Sequence, residues 1–467
     1  MDLTAPLIIG LIVLVLAHGR LTYRDPVVRP AARRAGARAG TSVASAARRA
    51  RRHLVAKLAL IGLAIGAAWG VTFWRLVTRG DAVTVLGIND YPLHLQTAQD
   101  LSIVPFRLDV PEFLFHLLAK TGILVAGPRL GPVLALVVLT ATAYVGVVLL
   151  FLERSRTGLQ LTDRQATVAG LAYFFMETPV LVLLYLGVVS PTAPFATVHW
   201  WGNPTFLAAL PFTFLCLPLI ERVIEAAPAD DAAWRASRAR VALDVVVILG
   251  ALAKPAFTLV LIPAVPTYAL LVRGLRGRSL ARVVGWAVAP VTLVILWQVW
   301  YLRTGQSTTQ VFRTGLTFDP IVEPIFGWGQ LVPVFVFPAL LLLLAIWASG
   351  GRFVRERSVQ LVLVATAFAV PLMLTLRETG SKSGEGNMFV PFQACVAVLV
   401  VLAVRSVAWE GFGAWRNWRT EGRRPPAWSY VAALATVALL AGGILSVLAG
   451  TGVIHVPANW ELQFQGT

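Results

Sequence analysis

An all-α, polytopic transmembrane fold with about 10–13 membrane helices, some broken into half-helices, is the class this chain predicts. Three observations carry the prediction. Of its 467 residues, 57% are hydrophobic and 13% charged, whereas a water-soluble fold holds about half and about a quarter. Mean hydropathy is +0.74, and apolar runs near the roughly 20 residues needed to cross hydrocarbon recur along the chain. The basic residues are also one-sided. With spans alternating from Leu54 onward, 30 of the 40 Lys/Arg fall in the loops 20–57, 154–164, 222–240, 273–282, 352–357 and 405–424. These loops are therefore assigned to the cytoplasm. The net charge of +17 is explained by that asymmetry and by anionic lipid headgroups, so nucleic acid is not expected as a partner.

In chain order, 1–53 is read as an N-terminal apolar helix and a basic cytoplasmic region. Ala5 to Ala17 lacks the basic n-region and cleavage site of a secretory signal and is taken as an outlying helix, its crossing left open. Arg20 to Arg52, rich in Arg, Ala, Gly and Pro without apolar periodicity, reads as a mobile linker. Residues 54–450 form the membrane domain, with spans near 54–77, 122–151, 165–189, 204–221, 284–302, 329–349, 359–376, 388–404 and 429–450. The run 241–272 begins and ends beside cytoplasmic arginines yet is broken at Ala253-Lys-Pro255. Two half-length helices meeting at a turn satisfy that sidedness. Glu177-Thr-Pro179 interrupts 165–189 similarly. The outer face then carries 79–121, 190–204, 303–328, 377–387 and the short extracytoplasmic tail 451–467. Within the first of these, apolar residues at 113, 114, 117 and 118 predict a helix lying in the interface plane. Cys216 and Cys395 lie in separate apolar runs and imply neither a disulfide framework nor a thiolate cluster.

The chemistry-bearing residues gather in the outer segments. Asp90 follows the first core span in Gly87-Ile-Asn-Asp-Tyr-Pro-Leu-His94, four residues from His94. If the segment is helical, both side chains share a face. A carboxylate supported by imidazole can take the proton of a hydroxyl presented at the membrane surface; the alternative is that Asp90 simply caps the helix. Asp100, Asp109 and Glu112 in the same loop are candidate ligands for a divalent cation, the one cofactor considered, or merely solvated acids. His199, Trp200, Trp201 and Asn203 combine aromatic faces for stacking on sugar rings with directional polar groups; an interfacial tryptophan belt is the competing account.

Lys254 is expected near mid-bilayer, where a cation requires a purpose or a partner such as Glu177 or Asp244. The loop 376–387, with Arg377, Lys382, Glu385 and Asn387 among glycines, can cradle a phosphate or serve as a polar turn. It lacks the Walker spacing of a nucleotide site. Arg303 and Arg313 oppose the positive-inside trend and are further candidates for an anionic ligand.

These residues resemble the GT-C superfamily of integral membrane glycosyltransferases, which use polyprenyl-phosphate sugars and carry an acid in the first long outer loop. Asp90 matches that position, and the resemblance spans roughly 54–405 in architecture. Segments like His199-Trp-Trp-Gly-Asn-Pro204, Leu252-Ala-Lys-Pro255 and Glu385-Gly-Asn387 resemble those of bacterial polytopic proteins near this superfamily. The usual acidic pair is reduced to Asp90 without an adjacent acid, and the membrane region is expected to be followed by about 17 outer-face residues, 451–467, in place of a large soluble C-terminal domain.

The resemblance implies an inverting transferase in a bacterial inner membrane with its site on the extracytoplasmic side. Asp90 would be the base and His94 its support; His199, Trp201 and Asn203 would line the sugar site, and Lys254, Arg303 and Arg377 would neutralise the donor phosphate. The donor would be a polyprenyl-phosphate-linked sugar and the acceptor a cell-envelope glycan or glycolipid. Arabinosyl or mannosyl transfer from decaprenyl phosphate is the analogy the Ala, Arg, Val and Gly content invites. The rival readings are a transporter or flippase of a lipid-linked saccharide, a glycan polymerase or ligase with a diphosphate-linked donor, and a scaffold without activity.

Overall fold

The computed structural model describes residues 37–78, 91–103, 106–107, 113–153, 160–175, 204–303, 316–318, 328–378 and 390–451. Helices form where the apolar runs predict them. In chain order they are α1 (Ala37–Ala68), α2 (Gly70–Thr78), α3 (Tyr91–Asp100), α4 (Leu114–Leu152), α5 (Asp163–Phe175), α6 (Pro204–Ala226), α7 (Asp231–Ala236), α8 (Arg238–Ala253), α9 (Ala256–Thr267), α10 (Gly277–Val283), α11 (Ala289–Arg303), α12 (Trp328–Ala348), α13 (Arg357–Thr375), α14 (Val390–Glu421) and α15 (Ala427–Thr451).

π-helical turns, Tyr268–Val272 and Val284–Val288, continue α9 and join α10 to α11. Four of the described helices, Leu114–Leu152, Pro204–Ala226, Gly277–Tyr301 and Val390–Glu421, are long and apolar enough to cross a membrane. Shorter apolar helices accompany them, and the chain is an all-α polytopic membrane protein. Two antiparallel ladders interrupt the helices. One pairs β1 (Ser102–Ile103) with β2 (Phe106–Arg107), the other β3 (Leu316–Phe318) with β4 (Leu376–Glu378).

The linker expectation needs correction, because residues 37–52 are the first turns of α1. Alanine and arginine are strong helix formers, and that propensity prevails over the charge run. Further along, Gly62 and Gly66 let α1 lie backbone to backbone on α4. A Cβ at Gly62 would sit 2.8 Å from Ala141 Cα, and one at Gly66 2.8 Å from the Val137 carbonyl oxygen. Small residues four apart permit such close crossings, and packing supplies the attraction that lipid solvent does not.

Ion pairs gather at one end. Arg222 meets Glu153 at 2.8 Å and Arg273 meets Glu221 at 2.5 Å. Arg357 pairs with Glu225, Arg278 and Arg282 with Asp231, and Arg352 with Glu410. Arg405 donates to the Glu153 carbonyl, and Arg240 lies over the rings of Trp234 and Trp286. The arginine-bearing loops assigned to one side by charge thus touch one another, as that sidedness requires.

The predicted half-helix hairpin is present as α8 and α9. Proline disfavours helical dihedrals in the preceding residue, and Lys254, before Pro255, is extended at φ −165 and ψ 120. The chain restarts at Ala256 and returns. Close approach of the arms is marked by Gly250, where an added Cβ would lie 3.4 Å from Thr258 Cγ2.

Candidate functional site

The end of the molecule remote from the arginine belt is assembled by two sharp features, the Lys254-Pro255 turn and a break inside α4. At the break, Gly127 has φ 82 and ψ 171, a region open to glycine but strained for other residues, and Pro128 begins the next helical arm in the position where its missing N–H matters least. The arm Leu114–Ala126 therefore folds back on the span 128–152 until the backbones of Gly122 and Gly131 touch.

This arm is the helix expected to lie in the interface, and its apolar stripe is turned inward instead. Phe113 and Leu117 pack with Leu101, Tyr301 and Trp297, while Leu114 and Leu118 pack on the main core. A stripe that finds protein partners is withdrawn from lipid. The exposed apolar residues lie nearer the bend, at Leu124 and Val125.

Folding the arm back brings His116 against α3. His94 Nδ1 and His116 Nε2 are 3.0 Å apart, within hydrogen-bond distance, and the two rings lie 5.1 Å centroid to centroid. His116 is 1% exposed and His94 half-buried. Phe115 presents an edge-type contact to each imidazole. Lys120, one turn along the arm, adds a second tie by donating from Nζ to the Gln99 carbonyl at 2.6 Å.

Across the same end, Lys254 Nζ donates to Thr205 Oγ1 at 3.3 Å. Helix α8 runs for about 24 Å from the basic end to the turn at Lys254. Thr205 is the second residue of α6, whose opposite end carries Glu221 and Arg222. An ion pair with Asp244 is ruled out because the two residues are about 15 Å apart along α8.

Contacts connect Lys254 to the histidines. Gln298 of α11 donates to the Ala251 carbonyl at 3.0 Å; one turn further, Tyr301 packs with Leu101, Phe113 and Leu117, the last adjacent to His116. Two predicted site residues, His94 and Lys254, are thereby set on one connected end. Tyr91, the residue after Asp90 in the sequence, opens α3. Asp90 itself, His199, Trp200, Trp201, Asn203, Arg313, Lys382, Glu385 and Asn387 lie outside the described residues, as do Glu177, Asp109 and Glu112. Arg303 closes α11. Arg377 stands in β4, paired in register with Thr317, which joins two of the segments assigned to the outer face.

Asp100 is exposed at the end of α3. Among the described residues no group of three or more His, Cys, Asp or Glu is arranged to hold a metal ion. His116 and Thr205 are the residues that sequence reasoning missed. Thr205 directly follows the singled-out segment 190–204, and His116 lies within the stripe read as interfacial.

No protein-family model matches the chain, and no curated protein does so either. Among solved structures it is similar to the Archaeoglobus fulgidus oligosaccharyltransferase in the apo form, with a TM-score of 0.40 and 13% sequence identity. The match covers 85% of this chain and 56% of that one, so the chain spans little more than half of that protein's length.

Proposed function

We propose that this protein is an inner-membrane glycosyltransferase of the GT-C kind, moving a sugar from a polyprenyl-phosphate donor to a cell-envelope glycan or lipid acceptor at the outer face. The observation that carries the reading is the convergence of His94, next to the Asp90 segment, and the Lys254 cation on one end, away from the arginine belt. The reaction needs a base and a cation at one place, on the side where envelope acceptors lie.

Asp90 takes the acceptor hydroxyl proton while the acceptor oxygen bonds to the anomeric carbon. The bond from that carbon to the phosphate oxygen breaks, and the electron pair leaves with polyprenyl phosphate. One base and one displacement invert the anomeric centre. Negative charge grows on the leaving phosphate, where Lys254, with Arg303 and Arg377, stabilises it more in the transition state than in the ground state. His94 supports Asp90, and the 199–203 segment lines the sugar.

Mass spectrometry of the lipid that co-purifies with the full chain tests the assignment. A polyprenyl-phosphate sugar is the expected species. A diphosphate-linked oligosaccharide would move the protein to the polymerase or ligase class, and ordinary phospholipid alone would count against a lipid-linked donor.

A further inference from the structure

At the arginine end of the bundle, the corner between α14 and α15 differs from the belt beside it. In the belt, Arg222, Arg273, Arg282, Arg352, Arg357 and Arg405 are engaged by carboxylates or carbonyls of the protein. Past them α14 runs on to Glu421, and Gly422 at φ 66 ends it in the conformation that favours glycine. Residues 415–424 are exposed throughout. They set Arg416, Arg419, Arg423 and Arg424 against one acid, Glu421, which pairs with Arg423 at 2.9 Å. Trp415 and Trp418 are each 51% exposed, and the Arg419 guanidinium lies 4.8 Å from the Trp415 ring centre. Helical spacing puts Trp415, Trp418 and Arg419 on one face, with Arg416 at its margin.

We propose that this corner is a docking surface for the anionic phospholipid headgroups of the adjoining leaflet. Its level follows from packing. Ala414 packs on the cluster of Leu344, Ala348, Trp428 and Ala432, which joins the end of the apolar helix Pro338–Ala348 to the start of Ala427–Gly442. The apolar part of the bundle ends there beside Ala414, and the hydrocarbon ends with it. Trp415 to Arg419 rise about 1.5 to 7.5 Å past that level, within a headgroup layer of about 5–8 Å on each side.

Tryptophan favours that layer because its ring is apolar and its N–H is polar. An arginine there meets a lipid phosphate with a planar fork of donors. Charge count alone would spread lipid binding over every basic loop. The structure withdraws the arginines already held by carboxylates, and it leaves these four clustered beside two half-exposed indoles. The surface is independent of the transfer reaction proposed for the opposite end.

Amide hydrogen exchange of residues 415–424 tests the proposal in the full chain, reconstituted in nanodiscs of phosphatidylcholine with or without phosphatidylglycerol. The anionic lipid should slow wild-type exchange by at least about 10-fold, each arginine strengthening the contact about fivefold. Arg416→Gln, Arg419→Gln, Arg423→Gln and Arg424→Gln combined should abolish the difference between the two lipids while leaving the melting temperature at its wild-type value. Salt at about 1 M, which shortens the screening length to about 3 Å, should do the same to wild type. Trp415→Ser with Trp418→Ser should speed exchange in both lipids. Equal wild-type exchange with and without phosphatidylglycerol would overturn the proposal. Protection in native membranes that is absent from both nanodiscs would also overturn it, assigning the corner to an acidic protein partner instead.

Discussion

Substituting Gly131 by alanine should separate the two histidines without altering either. A Cβ at this position falls on the Gly122 carbonyl and the Ile123 amide. These are backbone atoms that cannot rotate away, and restoring ordinary contact requires about 1 Å of additional separation. The arm pivots at Gly127, with Gly131 about 6 Å from the pivot and Gly122 about 7.5 Å, so the crossing opens by about 9°. His116 is about 16 Å from the same pivot and moves about 2.5 Å.

Added to the present 3.0 Å, that shift breaks the Nδ1–Nε2 contact, since hydrogen bonds weaken steeply past about 3.2 Å. The overpacking costs about 1–3 kcal/mol. Histidine 15N spectra report the contact, and thermal unfolding followed by the fluorescence of the 15 tryptophans reports the strain. Wild-type spectra together with a wild-type melting temperature in Gly131→Ala would refute the lever argument.

Lys254→Met removes the ammonium while keeping much of the stem, and should lower kcat/KM for the donor about 10–100-fold, mainly through kcat, the equivalent of a charge-assisted hydrogen bond of about 1.5–3 kcal/mol. An unchanged kcat and kcat/KM in steady-state kinetics would separate Lys254 from the donor phosphate. Thr205→Val deletes only the hydroxyl partner and should shift donor affinity by about 1 kcal/mol; an equal or larger effect than Lys254→Met would contradict the assigned order. At the opposite end, Arg273→Ala strands the Glu221 carboxylate and should destabilise the fold by about 3–5 kcal/mol, with Glu221→Gln on the same background restoring part of it. Identical melting of Arg273→Ala and wild type would show that this pair holds nothing together.

The spans and their sidedness were legible because bilayer thickness and loop charge act on runs of about 20 residues, a scale at which local detail averages out. The α8–α9 hairpin was legible for a sharper reason, as Pro255 excludes Lys254 from the helix and the arginines at both ends forbid a single crossing. The helical residues 37–52 were hidden by their charge, although alanine and arginine favour helix on their own.

His116 was not legible at all. Its partner is 22 positions away, and the two meet only because Gly127 reverses the direction of α4. Periodicity records neighbours three and four residues apart and carries no sign of such a reversal. The inward turn of the 113–118 stripe has the same origin, since an apolar face is alike in sequence whether protein or lipid covers it.

The central claim is that a carboxylate beside α3 activates an acceptor hydroxyl at the end of the molecule opposite the arginine belt. Asp90→Asn, compared with wild type for sugar transfer from decaprenyl-phosphate mannose or arabinose in native membranes, tests it most directly. The account predicts a fall of about 10²–10⁴-fold, the contribution of a general base, in a protein that still folds and still retains the lipid donor. Transfer at the wild-type rate would contradict it.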